Sequence, residues 1–176
     1  DAPKYEKLGN AALKQIEYYN RSNDTYVDKD KIKEFLDSLK FPLYSLDFET
    51  YQAVVPEHEG MRSYEAVPFQ YSLHIMKKPD GDYNIGSADI EECHFLDISG
   101  NDPRRAIAES LVKDIPYGAC VIAYNTEGVE KKIIERLAVQ FPDLAGHLLS
   151  FEYRDPKPLF QNGHYYNTAM WNSFSI

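Results

Sequence analysis

The stretch PLYSLDFET, residues 42–50, is the strongest strand candidate in the chain and determines how the other segments are interpreted. Apolar and polar residues alternate along it, so Leu46 and Phe48 fall on one face while Asp47 and Glu49 fall on the other. Residues two apart on a strand are separated by about 6.6 Å, so both carboxylates project from one face close together. The segment predicts a half-buried strand with a pair of acids near its C-terminal end.

Hydrophobic periodicity assigns the other segments to a mixture of strands and helices. Further strands are predicted at 69–76, 90–95 and 119–124. Helices are predicted to follow the N-cap residues Asp28 and Asp102, to follow the strand at 119–124, and to begin at Pro142. An antiparallel meander followed by a parallel strand with crossover helices predicts a mixed α/β sheet flanked by helices. We expect residues 1–40 to form an N-terminal helical segment and 41–176 one α/β domain. The ending SFSI is typical of the middle of an element, so we expect the natural domain to continue past Ile176.

Length and charge limit the possible functions. The chain has 176 residues, enough for one domain with a sizeable core, and its 19 basic and 28 acidic residues give a net charge of −9. Such a chain lacks the excess of basic residues with which proteins coat duplex nucleic acid. Contact with nucleic acid is therefore expected to be local, at a strand end, with metal ions bridging the like charges.

The compartment is predicted from what the sequence lacks. It has two cysteines without zinc-ligand spacing, no N-terminal signal peptide, and no apolar run of the roughly 18 residues that a membrane-spanning helix needs. We expect a cytoplasmic protein with no membrane partner.

Glu130 is the third acid of interest. It precedes Ile133 and Ile134 by three and four residues, which places it in the first turn of a predicted helix on the face that packs inward. If the preceding strand lies parallel to residues 43–49, the start of this helix meets Asp47 and Glu49 at the same edge of the sheet. Oxygen ligands of this kind suit Mg²⁺ or Mn²⁺.

Each acid also has a simpler explanation. An Asp-x-Glu pair at a strand end can stand in water with no ligand, and a carboxylate in the first turn of a helix interacts favourably with the helix dipole. The metal hypothesis requires all three carboxylates to meet around one ion or an ion pair. The dipole hypothesis requires only that Glu130 lie at the helix N-terminus.

A first strand ending in Asp-x-Glu, followed later by an Asn near a strand end and an acid in the next helix, resembles the DnaQ-like (DEDD) 3′–5′ exonucleases. That resemblance implies a ribonuclease H-like fold and two-metal hydrolysis of phosphodiester bonds at a nucleic-acid end, in single-stranded DNA or RNA. Asp47 and Glu49 match the first exonuclease motif. Glu130 lies near the second, with a Glu in place of the usual Asp and one extra residue after Asn125. The third motif, a Tyr or His followed by Asp, has no match before Ile176.

A closer resemblance is to a bacterial domain family of unknown function, domain of unknown function 2779. It is carried by PLYSLDFET at 42–50, VPFQYSLH at 67–74, the Tyr124–Asn125 pair with Glu130, and the segments at 165–166 and 173–176. The resemblance implies an exonuclease-like domain that follows a RecB-type nuclease module in longer proteins.

The candidate site residues follow from these patterns. We expect Asp47, Glu49 and Glu130 to be metal ligands and catalytic residues, and Thr50, Tyr51 and Asn125 to contact substrate. Asp155, which precedes a proline, is expected to be a turn residue.

Two other functions match parts of the sequence pattern. A non-catalytic interaction or regulatory module would keep the fold without a working site, and the negative charge together with the altered second motif favours it. A carboxylate-pair glycosidase needs acids on two separate elements around a sugar. Asp47 and Glu49 share one strand, which disfavours it.

Overall fold

The computed structural model describes residues 8–18, 25–84, 86–170 and 173–174. The chain divides into two units, one formed by residues 40–154 and the other by residues 1–39 together with 155–176. The sequence predicts that 155–176 belongs to the α/β domain, whereas this division groups that segment with the N-terminal residues.

The elements follow one another as α1 (Asn10–Tyr18), β1 (Thr25–Val27), α2 (Lys29–Asp37), β2 (Leu43–Gln52), β3 (Ala66–Met76), β4 (Ile90–Leu96), α3 (Arg104–Asp114), β5 (Cys120–Ile122), α4 (Glu130–Gln140), α5 (Pro142–Leu148), β6 (Glu152–Arg154), α6 (Lys157–Gln161), β7 (Tyr165–Asn167) and a 3₁₀ turn (Thr168–Met170). Within the described ranges, no helix is both long enough and apolar enough to cross a membrane.

The smaller unit is organised by pairing between distant parts of the chain. β1 and β7 form a two-stranded antiparallel sheet with Tyr26 opposite Tyr166. Asp28 is the N-cap of α2, as predicted, because its Oδ1 accepts a hydrogen bond from the Lys31 backbone N–H at 3.2 Å. Its other oxygen, Oδ2, lies 3.1 Å from Nδ1 of His164, so the cap also connects the two ends of this unit.

The larger unit is built on a five-stranded mixed sheet with the strand order β4-β3-β2-β5-β6. β2, β3 and β4 form the predicted antiparallel meander, and β5 and β6 run parallel to β2. The mixed α/β sheet flanked by helices is therefore confirmed, as is the expectation that β2 and the strand before α4 are parallel neighbours. Asp47 and Glu49 consequently lie on the middle strand.

One face of this sheet is covered by helices and forms the core. Leu46 and Phe48 of β2 pack there with Leu73 of β3 and with the buried residues of α3 and α4. Asp47 and Glu49 belong to the other face because side chains alternate along a strand. The exposure pattern of β2 follows this alternation between residues 46 and 49.

Tyr71 connects β3 to α3 from inside the core. Its ring is 0% exposed and stacks on Phe95 with ring centroids 6.0 Å apart. Its hydroxyl lies 2.7 Å from Oγ of Ser110 and donates to Oδ2 of Asp114 at 2.7 Å. Burial raises the pKa of the phenol well above its usual range; the contact with Asp114 raises it further, whereas the contact with Ser110 lowers it. The hydroxyl is therefore a neutral donor that joins the helix to the sheet.

We expect Tyr71→Phe to lower the free energy of unfolding by about 1–3 kcal/mol, because it leaves a partly buried carboxylate without its donor while the ring keeps its packing. Urea denaturation followed by circular dichroism measures this. Tyr117→Phe is the matched control, since that ring is 73% exposed, and it should leave stability unchanged. Equal effects of the two substitutions would contradict a structural role for the Tyr71 hydroxyl.

Candidate functional site

Asp47 and Glu49 are exposed neighbours on the face of β2 that the helices do not cover. Opposite them on β3 stand Ser72 and Gln70, which are neutral. Neither carboxylate makes an ion pair or a hydrogen bond to any residue that the structure describes. Two like charges thus stand side by side without a compensating cation from the described part of the chain.

Beside these acids, β2 has no paired residue in β5. β5 pairs with β2 only from Leu43 to Ser45 and ends at Ile122, which is level with Ser45. Asp47 and Glu49 therefore lie beyond the last β2 residue that has a partner in β5. A register shift between Glu49 and Thr50 also interrupts the ladder with β3, which resumes with Thr50 opposite Pro68. Ligands of α/β sheets bind outside the carboxyl ends of parallel strands, and these acids occupy such a position.

Glu130 is buried in the first turn of α4, as predicted, with 6% of its surface exposed. α4 packs on the sheet face that carries Phe48. Burial raises the pKa of the Tyr153 phenol on that face, and neighbouring carboxylates, Glu130 among them, raise it further. The structure therefore brings Asp47 and Glu49 together on one face and places Glu130 on the helix-covered side.

The loop between β5 and α4 explains the extra residue after Asn125. Asn125 has a left-handed backbone with φ of 60°, and its backbone carbonyl accepts from the Gly128 N–H at 2.7 Å. A Cβ on Gly128 would collide with Nδ2 of Asn125, so a larger residue there would require the Asn125 amide to move. Thr126 is 1% exposed and its hydroxyl donates to the Ala123 carbonyl at 2.6 Å, which fixes the turn. The half-buried Asn125 side chain packs over Gly128.

Tyr51 lines a pocket at the far end of β2, whereas Thr50 is the half-buried residue that follows the register shift. The pocket has a volume of about 390 Å³, and Phe69 forms another wall, with its ring centroid 6.4 Å from that of Tyr51. His58 and Asn101 add polar groups. Burial raises the pKa of the Tyr51 phenol, with a smaller contribution from nearby carboxylates. Tyr51, expected to contact substrate, thus belongs to an aromatic pocket two residues from Glu49.

A buried arginine fixes the loop that borders this pocket. Arg104 is 3% exposed, and its Nε and Nη2 donate to the two carboxylate oxygens of Asp102 at 2.9 and 2.7 Å. Nη2 also donates to the Glu59 carbonyl at 2.8 Å. The guanidinium lowers the pKa of the Asp102 carboxyl.

The sequence identified Asp102 only as a helix cap. Its Oδ1 does accept the backbone N–H of Arg104 at 3.1 Å, although α3 begins at Arg104 with Pro103 at the N-cap. The spacing of two residues between acid and arginine was the available signal for the ion pair.

The donor chemistry of Asp47 and Glu49 fits a divalent cation. Mg²⁺ in enzyme sites is commonly held by one or two carboxylates, and it keeps several waters and substrate oxygens. In the part of the chain that the structure describes, no three His, Cys, Asp or Glu side chains form a group that could hold a metal ion. The fit therefore concerns the pair alone, and a shared site with Glu130 stays a prediction.

The class of the larger unit follows from its topology. A mixed five-stranded sheet of three antiparallel strands followed by two parallel ones, flanked by helices, is consistent with a ribonuclease H-like fold. The acid pair occupies the middle strand of that sheet.

The family model for a domain of unknown function, DUF2779, matches residues 44–175, and the chain belongs to this family. In the comparisons with curated proteins and with solved structures, nothing matched.

Proposed function

We propose that this chain is a metal-dependent hydrolase domain that acts on phosphodiester bonds at the 3′ end of a nucleic-acid strand. The observation that carries the proposal is the exposed Asp47–Glu49 pair, which lacks a partner among the described residues and lies on the middle strand beyond the end of β5. The resemblance of this motif to that of DnaQ-like exonucleases gives the reaction type. A net charge of −9 agrees with contact confined to a strand end.

Each element of the site has a role in this proposal. Asp47 and Glu49 hold Mg²⁺ or Mn²⁺, which when bound would activate water and stabilise the leaving oxygen. The pocket of Tyr51 and Phe69 receives the terminal base, because aromatic faces stack on bases of any sequence. Thr50 and Asn125 remain proposed substrate contacts at the same end of the sheet.

We expect Asp47→Asn and Glu49→Gln each to weaken Mn²⁺ binding at least about tenfold, since each removes one charged oxygen donor. Isothermal titration with Mn²⁺ measures this in the absence of any substrate. Glu92→Gln is the matched control, because Glu92 is an exposed acid on the same face of the sheet but two strands away. Indistinguishable curves for wild type and Asp47→Asn would exclude the site.

Glu130→Gln tests the third ligand in the same titration. A loss comparable to that of Asp47→Asn would support a shared ion, whereas an unchanged curve would restrict Glu130 to the helix N-terminus. Because the substitution keeps the size of the side chain, a change in Mn²⁺ affinity reports on charge and not on packing.

The reaction itself is tested with 5′-labelled single-stranded DNA and RNA in the presence of Mn²⁺. We expect stepwise shortening from the 3′ end by wild type and none by Asp47→Asn.

The position of Glu130 on the helix-covered side favours a second candidate function, a non-catalytic module of the same fold. Binding of labelled strands without any shortening, under conditions where Mn²⁺ is bound, would establish that candidate instead.

A further inference from the structure

A second concave surface lies between the loop after β2 and the exposed side of α4. It is a groove of about 700 Å³, which we call the α4 groove, bordered by residues 59–65 and by α4 residues from Lys132 to Gln140. Arg104 lies along it as well, so the ion pair that fixes the loop also fixes one wall. The proposed hydrolase site does not use this groove.

The α4 groove is lined by lysine and arginine side chains that form no ion pair with described residues. Arg62, Lys132 and Arg136 line it, and none of them forms an ion pair with any described residue. Most other lysines and arginines in the described ranges are held by acids, as Lys131 is by Glu127 at 2.7 Å. Lys132 and Arg136 are four residues apart on one helix face, about 6 Å along its axis. Three cationic side chains without ion pairs to described residues thus line one concave surface of an acidic protein.

Arg104 contributes a fixed donor to the same groove. Two of its nitrogens are engaged by Asp102 and one of these also by the Glu59 carbonyl, whereas Nη1 has no hydrogen-bond partner among the described residues. Because the side chain is 3% exposed and held in place, a ligand that reaches Nη1 would meet an ordered guanidinium at no cost in side-chain entropy.

An aromatic ring completes the groove. Tyr64 is 65% exposed, and its backbone is left-handed with φ of 58°, held there by its N–H, which donates to the Ala53 carbonyl at 2.8 Å. An exposed aromatic ring beside lysine and arginine side chains is the combination that binds single strands, because cationic side chains follow the backbone and aromatic faces stack on bases.

The acidic residues of the groove further restrict the class of ligand that it can bind. Glu65 accepts the backbone N–H of Arg62 at 3.0 Å, and Glu59 and Glu135 also line the surface. These carboxylates disfavour a bare anion such as inorganic phosphate. They suit a ligand that carries both phosphates and unpaired bases, because a carboxylate accepts hydrogen bonds from the exocyclic amino groups of such bases.

We propose that the α4 groove binds a segment of single-stranded nucleic acid, with phosphates at Arg62, Lys132 and Arg136 and a base stacked on Tyr64. The ligand class rests on the proposed function, whereas the binding itself requires neither a metal ion nor hydrolysis. The groove therefore acts as a docking surface for the strand whose end is cleaved.

The test is fluorescence anisotropy with a labelled single-stranded oligonucleotide in EDTA, where no hydrolysis occurs. The double variant Arg62→Ala/Arg136→Ala should bind at least about tenfold more weakly, and its dependence of log K on log salt should be shallower by roughly 0.7 per lost phosphate contact. Lys113→Ala is the matched control, because Lys113 is an exposed lysine of α3 without an ion pair to described residues, and it should bind as wild type does.

The ring is tested by a pair of substitutions. Tyr64→Leu should weaken strand binding roughly fivefold or more, whereas Tyr64→Phe, which keeps the stacking face, should bind with wild-type affinity. Unchanged affinity in the double variant, or equally tight binding of duplex or of polyglutamate by the groove, would overturn the inference. Thermal unfolding of each variant verifies that it is folded.

Failure of this inference differs from failure of the proposed function. Asp47→Asn should lose Mn²⁺ binding and hydrolysis while keeping strand binding in EDTA. The groove variants should keep Mn²⁺ binding. A groove variant with unchanged strand affinity overturns the docking surface and leaves the hydrolase proposal intact.

Discussion

Leu73→Ala should be among the most destabilising single substitutions in the larger unit, with a loss of about 3–5 kcal/mol in the free energy of unfolding. Leu73 lies in the middle of β3, is 0% exposed, and packs against Leu46 and the helices over that face. Removing its side chain forfeits transfer free energy and leaves a cavity that the surrounding core fills only in part. Chemical denaturation measures the loss.

Leu96→Ala provides the matched control for this substitution. Leu96 is also a strand leucine, on β4, but it is 52% exposed. The change there should stay within about 0.5 kcal/mol, because little of its surface is removed from water. A loss below about 1 kcal/mol for Leu73→Ala would mean that the helix-covered face is not packed as described.

Arg104→Met should destabilise the same unit by about 3 kcal/mol, the lower end of what breaking a buried ion pair costs, because part of Asp102 reaches solvent. The substitution keeps much of the side-chain volume but removes the donors that hold Asp102 and the Glu59 carbonyl. Denaturation at neutral pH measures this.

Arg105→Met is the control for Arg104→Met. It lies on the same helix, but its pairs with Asp143 and Glu109 are exposed, so it should lower the free energy of unfolding much less than Arg104→Met does. If the two substitutions lowered the free energy of unfolding equally, burial of the Arg104 pair would not determine how much that pair contributes to stability.

The effect of Arg104 should depend on pH in one direction. The guanidinium holds the pKa of Asp102 below its ordinary value of 3.8, so the pair stabilises the fold fully above that pH. The stabilisation is lost as the pH falls through the lowered pKa and the carboxylate is protonated. The difference between wild type and Arg104→Met should therefore be largest near neutral pH and should shrink in acid below pH 3.8. A difference that grows in acid would contradict this assignment.

Local pattern predicted most of the larger unit correctly. The alternation in residues 46–49 gave β2 with Leu46 and Phe48 on the buried face and Asp47 and Glu49 on the exposed face, and the Glu130 stripe gave the buried first turn of α4. Short segments escaped detection: β1, β6 and β7 have three residues each and, unlike the equally short β5, do not lie in an apolar run. The pairing of β7 with β1 joins residues far apart in the chain, which no local pattern indicates.

The same distinction between local sequence and tertiary packing applies to the candidate site. That Asp47 and Glu49 share a face follows from residues two apart on one strand, which the sequence alone determines. On which side of the sheet Glu130 lies depends on the path of the loop after β5 and on the packing of α4, which only the tertiary structure decides. Local order of residues determines which side chains one element presents, whereas proximity of separate elements follows from packing across the whole sheet. For that reason the sequence alone predicts the carboxylate pair, whereas the side of the sheet on which Glu130 lies, the burial of the Arg104 pair and the α4 groove follow only from the tertiary structure.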